Sequence, residues 1–236
     1  GGIIVTADPV SEYCSVSRSG AAQIDKYDAE DLNVLKIDAL GLRTLSVLQE
    51  CLESVGKDRG WLLGLSLNDE AAFQVINDER CTGIFQFEGY TLQMVMKQMG
   101  VQKFDDLVAI TALARPGPLH SGSTTEFTRR RTGEVEVKYL HEKCIKHTED
   151  TYGTIVYQEQ VMSIGRDIGH LSWEEVSELR KAMSRSLGEE FFNVYWEKFR
   201  VGAKEEGLTE KEAKHVWDNM CTHGSWSFNK SHAVSY

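Results

Sequence analysis

The chain opens on a short β-type run, Gly2-Ile-Ile-Val-Thr6. A second apolar–polar alternation follows at Asp31-Leu-Asn-Val-Leu-Lys-Ile-Asp38, with apolar side chains at 32, 34/35 and 37. The first forty residues therefore read as strands and turns. Gly41 interrupts the alternation, after which Leu42, Leu45, Val47, Leu48 and Leu52 recur at helical spacing. Strand, tight turn and helix is the expected order. From residue 66 onward the period is helical. Asn68 is a candidate cap for a helix over 69–76 with acids in its first turn. Gln93 to Met99 carries a Met/Val stripe that suits a core, and Phe104 to Leu113 is a second apolar helix. Ser172-x-x-Glu175 and Thr209-x-x-Glu212 are capping boxes. They open helices expected over 173–187 and 210–222, with a third over 189–206 between them. Trp173, Trp196 and Trp217 are expected to anchor the packing of these helices. The basic, glycine-containing stretch 115–138 reads as an irregular or hairpin excursion, and His232 to Tyr236 as the opening of a helix. The expected fold class is α+β: a small sheet-containing part over residues 1–60, then a mostly helical part over 61–236.

Composition narrows the picture. The 236 residues are 41% hydrophobic and 26% charged, enough to bury a core. No run of about 18 apolar residues occurs, so no membrane span is expected. The start lacks the basic and long apolar regions of a secretory signal. Five cysteines, odd in number and without a C-x-x-C pair, argue for reduced thiols in a cytoplasmic setting. Neither end carries a polar tail, which suits a fragment of a longer polypeptide or one part of a split gene. The net charge of −10 argues against broad nucleic-acid binding. It is unevenly spread, however. Residues 1–96 carry 7 basic and 15 acidic side chains, residues 97–147 carry 9 and 6, and residues 148–236 carry 10 and 15. A polyanion would meet local basic clusters.

Several strings carry candidate chemistry, each beside a plainer reading. Lys36 and Asp38, two apart on a strand, point to one face; they suit a divalent metal and a phosphate, or an exposed ion pair. In Arg115-Pro-Gly-Pro-Leu119 two prolines stiffen a turn and fix where Arg115 points, or simply end a helix. Arg180, Lys181 and Arg185 span about one and a half turns. They suit a triphosphate or phosphodiester, or compensate a helix C-terminus. Ser227-Phe-Asn-Lys-Ser-His232 combines an aromatic face, an amide, a cation, a hydroxyl and an imidazole, and suits a stacked base with its phosphate, or a polar loop and cap. Arg129, Arg130 and Arg131 read as a solvated basic turn or as phosphate contacts. The histidines show no metal spacing, and no Walker loop, G-x-S-x-G or dinucleotide fingerprint occurs.

Taken together these strings are not independent. Lys36-Ile-Asp38-Ala-Leu-Gly41-Leu-Arg-Thr-Leu, Thr82-Gly-Ile-Phe-Gln-Phe-Glu88, Ala114-Arg-Pro-Gly-Pro-Leu-His-Ser-Gly122, Tyr152-Gly-Thr-Ile-Val-Tyr-Gln-Glu-Gln-Val-Met162, Leu179-Arg-Lys-Ala-Met183 and Phe228-Asn-Lys-Ser-His232 occur in that order. The set, spread over essentially the whole chain, resembles the alpha subunit of bacterial DNA polymerase III, a C-family replicative polymerase.

The resemblance implies a nucleotidyltransferase-type palm sheet, its C-terminal part over 1–60, followed by a fingers domain over 61–236 that is truncated at its C-terminal end. Asp38 matches the third catalytic aspartate and a metal ligand, and Lys36 the palm lysine that faces nucleotide phosphates. Arg180 and Lys181 match a basic pair on the nucleotide-binding helix, and Asn229, Lys230 and His232 a late polar motif assigned to nucleotide binding. Arg115, Arg129, Arg130, Arg131 and Arg185 are expected at DNA. The implied reaction is template-directed addition of deoxynucleotides to a primer 3′-hydroxyl with two Mg²⁺ ions. The implied partners are primer-template DNA, the incoming deoxynucleoside triphosphate, and the remaining polymerase segments, with the sliding clamp and other replisome proteins reached through missing regions. The family's Asp-x-Asp pair is absent from this sequence, so the isolated chain is expected to be inactive. A non-catalytic nucleic-acid-binding or assembly module retaining the polymerase fold is the alternative.

Overall fold

The computed structural model describes residues 2–37, 41–184 and 189–236, without the side chains of 183, 184 and 189–192. Asp38 and Arg185 lie outside the described residues. The chain divides into two compact units, Gly1–Leu65 and Ser66–Tyr236.

In the first unit, β1 (Ile3–Val5), α1 (Lys26–Asp31) and β2 (Leu35–Ile37) come first. The strands pair antiparallel, with Ile3 opposite Ile37, Ile4 opposite Lys36 and Val5 opposite Leu35. α1 was not expected. Asp25 accepts from the backbone N–H groups of Tyr27 and Asp28, and Asp28 returns a bond to the Asp25 N–H. This is a capping box built from two acids rather than Ser/Thr and Glu. Residues 31–34 are therefore helix end and turn, not strand; Asn33, at φ 52°, bends the chain into β2. α2 (Arg43–Ser54) follows where the leucine spacing placed a helix, and α3 (Arg59–Leu63) starts on Asp58, which accepts from the Trp61 N–H. Among the described residues of this unit only Ala29 and Leu52 are buried apolar side chains.

The second unit is helical. α4 (Glu70–Asn77), α5 (Tyr90–Met99) and α6 (Phe104–Leu113) come first. The cap of α4 is Asp69, which accepts from the Ala72 N–H, and not Asn68. In α6, Asp106, Val108, Ala109, Ile110, Ala112 and Leu113 are all buried, on more than one face. A helix apolar nearly all round belongs at the centre of a core.

The stretch 115–138 corrects the expectation most. It holds α7 (Pro116–Ser121) and α8 (Ser123–Arg131) in place of a hairpin. Pro116 sits at the first helical position, where its missing N–H costs nothing. Gly122, at φ 82°, separates the two helices by adopting a left-handed conformation. α8 has weak intrinsic propensity in its Ser-Thr-Thr start, but tertiary burial of Thr124, Phe127 and Thr128 holds it.

α9 (Ile145–Thr148), α10 (Gln158–Asp167), α11 (Trp173–Ser184), α12 (Glu189–Glu205), α13 (Glu210–Gly224) and α14 (Lys230–Ser235) complete the unit. Both capping boxes form reciprocally at the starts of α11 and α13. Two cores result. One gathers α4, α5, α6, Phe127, Tyr157 and Ala233. The other gathers Ile164, Leu171, Leu179, Phe199, Val216, Trp217 and Met220 from α10 to α13. Trp196 and Trp217 pack there as expected, but Trp173 is 58% exposed under the Arg166 guanidinium. All five cysteines are free thiols.

Candidate nucleotide site

Two segments far apart in sequence meet at the start of α10. A parallel bridge joins Tyr157 to Phe228: the Gln158 N–H donates to the Phe228 carbonyl and the Phe228 N–H to the Val156 carbonyl, each at 2.9 Å. The bridge brings the loop before α14 onto residues 156–158. Asn229 then caps α14, its Oδ1 accepting from the His232 N–H at 2.8 Å. Its Nδ2 donates to the Glu159 carboxylate at 3.0 Å, and the Lys230 N–H donates to both Glu159 oxygens at 3.1 Å. The Lys230 ammonium lies 5.3 Å from the Tyr157 ring centroid.

α11 reaches the same segment. The half-buried Arg180 donates to Gln158 Oε1 at 3.4 Å, while Lys181 is exposed one position on. So the structure brings Arg180, Asn229 and Lys230 around residues 157–159, with His232 one turn further along α14. Gln158 and Glu159 were not among the expected site residues. The available signal was their position inside the Tyr152–Met162 string; both lie in the first turn of α10. His232 adds an aromatic row: its ring lies 5.5 Å from Phe228 and 4.5 Å from Tyr236, which in turn stacks on Phe85 at 5.5 Å.

The arginines expected at DNA are placed differently from one another. Arg115 is turned inward. It donates to the Ala112 and Trp226 carbonyls, and its guanidinium lies 4.5 Å over the Phe228 ring. Burial lowers its pKa without neutralising it. It holds the 226–228 loop, and Gly117 lies so close to Trp226 that a Cβ there would stand 2.8 Å from the indole's Cβ. Arg131 is also turned inward, as a bidentate partner of Asp106 at 3.0 and 2.8 Å. Asp106 is 2% exposed and also accepts from the Gln102 and Lys103 N–H groups. Burial alone would raise its pKa, but Arg131 and the two N–H donors override that and hold it below the usual carboxylate range. Arg130 pairs with Glu126 and donates to the Tyr152 carbonyl. Arg129, paired with Glu134 at 2.9 Å, is the solvent-facing member of the triplet. An i-to-i+2 run of like charges reads as one basic surface, yet on a helix the three point in different directions.

Lys36 lies on β2, an exposed strand, facing away from the side of Leu35 and Ile37. No group of three His, Cys, Asp or Glu side chains able to hold a metal ion occurs among the described residues. No helix among them is long and apolar enough to cross a membrane.

The largely helical unit thus brings cations, an amide and aromatic rings to one short segment. The chain belongs to the bacterial DNA polymerase III alpha subunit finger domain family, whose family model matches residues 44–207. It is 34% identical to the DNA polymerase III subunit alpha of Aquifex aeolicus (strain VF5), an alignment of 242 positions covering all of this chain and 21% of that protein. It is equally 34% identical to the subunit alpha of Staphylococcus aureus (strain COL), over all of this chain and 22% of the relative. The chain thus spans about a fifth of the length of these relatives.

Proposed function

We propose that this chain builds the fingers, with an adjoining part of the palm, of a polymerase that adds deoxynucleotides to a primer 3′-hydroxyl on a DNA template. The convergence of Arg180, Asn229 and Lys230 on residues 157–159 carries the reading. Residues 1–60 form the palm portion and 61–236 the fingers. Arg180 and Lys181 hold the triphosphate of the incoming nucleotide. Being adjacent they lie about 100° apart, so α11 presents its edge to the ligand. Asn229, Lys230 and His232 flank the nucleotide, and the exposed aromatic row offers its base a stacking face. Fixed cations aimed at the phosphates stabilise charge that develops during transfer. Lys36 faces the phosphates from the palm strand.

A centre with two Mg²⁺ ions needs shared carboxylates. Asp38 supplies one carboxylate in this reading and segments outside this chain the others, so the chain alone does not polymerise. Arg129 and Arg185 contact the DNA backbone, while Arg115, Arg130 and Arg131 hold the surface that meets it. The clamp and other replisome proteins are reached through regions outside these residues, in the cytoplasm.

The test is steady-state incorporation by the complete polymerase. Arg180→Ala and Lys181→Ala each raise the KM for nucleotide about tenfold, and Asp38→Ala abolishes turnover without unfolding the protein. An unchanged nucleotide dependence in folded Arg180→Ala and Lys181→Ala enzymes sinks the assignment.

A further inference from the structure

A cavity of about 340 Å³ lies elsewhere in the helical unit, lined by Glu126 and Arg130 of α8, Lys138 and Tyr139, Gly153 and Thr154, and His215, Asn219 and His223 of α13. We propose that it is a second nucleotide-phosphate site, which takes one nucleotide of a single DNA strand.

Its size is at the lower end of the range for small-ligand sites, enough for a nucleotide unit. Its wall is organised. His215, Asn219 and His223 follow at i, i+4 and i+8 and share one face of α13. His223 Nδ1 lies 2.9 Å from the Asn219 carbonyl, which can only accept, so Nδ1 carries the proton and Nε2 is the other ring position. The Asn219 amide donates to the His215 carbonyl at 2.8 Å. Both rings thus stand on one face of α13, about two turns apart.

The charge is also arranged. Arg130 is matched by Glu126. Lys138 is exposed, and no carboxylate among the described residues pairs with it. The lining thus keeps one cation in excess. Thr154 is 4% exposed, and its hydroxyl finds no hydrogen-bond partner among the described residues. A buried donor without an acceptor is uncommon enough to need a cause. The loop that carries Lys138 and Tyr139 is pressed onto Gly153. A Cβ there would stand 2.3 Å from the Lys138 carbonyl, and Gly153 has φ 76°. Only glycine allows that approach. A phosphate accepts hydrogen bonds and donates none, which suits the Lys138 ammonium and the unpartnered Thr154 hydroxyl. Tyr139, 37% exposed beside Lys138, supplies the ring on which a base stacks. An aromatic next to a cation is the usual arrangement for a single strand. The choice of DNA as the source of the phosphate rests on the proposed function; the cavity itself does not.

The experiment measures binding of a short oligothymidylate, by fluorescence anisotropy, and of dTMP, by titration, to the full-length protein. Lys138→Gln is expected to weaken the oligonucleotide about fivefold and to make its log–log salt slope shallower by about 0.7. Tyr139→Ala is expected to weaken it about tenfold with the slope unchanged. Both are surface side chains, and circular dichroism verifies folding. Loss for the oligonucleotide supports the site as a strand site, and loss for dTMP alone supports it as a site for free nucleotide. Unchanged binding of both probes by both folded variants overturns the proposal. Arg180→Ala, run in parallel, keeps oligothymidylate binding and loses nucleoside triphosphate affinity. If it keeps that affinity, the reading of α11 fails while the cavity is still decided by Lys138 and Tyr139.

Discussion

The two units are built on opposite terms. The helical unit buries two continuous cores, with Phe199, Ile110, Ile164 and Leu179 at or near zero exposure. The first unit leaves Ile3, Val5, Leu35, Ile37, Leu45 and Leu63 between 45% and 86% exposed. Its sheet has two strands of three residues, and such a ribbon is marginal in water without further strands or a packed helix. The difference teaches where stability resides: substitutions of the same chemical kind should have very different costs in the two units.

The strongest break of this comparison is a paired truncation. Phe199→Ala removes a ring packed against Trp196 and Trp217 and should cost about 3–5 kcal/mol. Ile37→Ala, on the open strand, should cost within about 0.5 kcal/mol. Urea denaturation of both proteins tests this. Comparable shifts in midpoint would mean that the exposed strand is as well packed as the core.

Asp106→Asn comes next. It leaves the buried Arg131 guanidinium, 10% exposed, facing a neutral amide, and should cost about 3 kcal/mol. The pH dependence has a definite sign. Because the folded pKa of Asp106 is depressed, its contribution is present above the ordinary carboxylate pKa and is lost as pH falls through the folded value. Acid titration of unfolding should therefore show a smaller loss below about pH 4 in Asp106→Asn than in the parent. Equal slopes would remove the pair from the account.

The smallest effect is at the loop between α10 and α11. His170 places Nδ1 3.1 Å from Glu205 and Nε2 3.0 Å from Glu206, and Lys143 also pairs with Glu206. Its pKa is raised chiefly by Glu206 and also by Glu205, while loss of hydration opposes the rise. The stabilisation is complete below the ordinary histidine pKa, about 6.5, and disappears as pH rises through the folded value. Melting temperatures of the parent and His170→Asn, compared from pH 5.5 to 8.5, should converge toward the alkaline end. A constant gap would show that the imidazolium contributes nothing.

What could be read from the sequence followed from locality. The helix over 104–113 coincides with α6, because its dense apolar positions between Phe104 and Leu113 can be recognised without knowing the partner. The Ser172 and Thr209 boxes form because both halves lie three residues apart. α7 and α8 were invisible because their stabilising contacts come from elsewhere in the chain: Thr124 donates to the Leu113 carbonyl, and Arg131 meets an acid 25 positions upstream. Similarly, Arg180 and Asn229 each stood out by local chemistry, but only likeness to a family put them in one site, since no periodicity connects them. Gln158 and Glu159 went unassigned because the residues they meet, Phe228 to Lys230, lie about seventy positions away.

The Tyr157–Phe228 bridge has a kinetic consequence. Joining residues about seventy positions apart closes a long loop, and the entropy of that closure is spent before the contact returns anything. Local turns of α10, α11 and α13 can form in microseconds, but the bridge has to wait for them to condense. The segment that collects Arg180, Asn229 and Lys230 is thus among the last parts of the helical unit to assemble on refolding. Its amide protons at Gln158 and Phe228 should gain protection together, and later than those inside the helices.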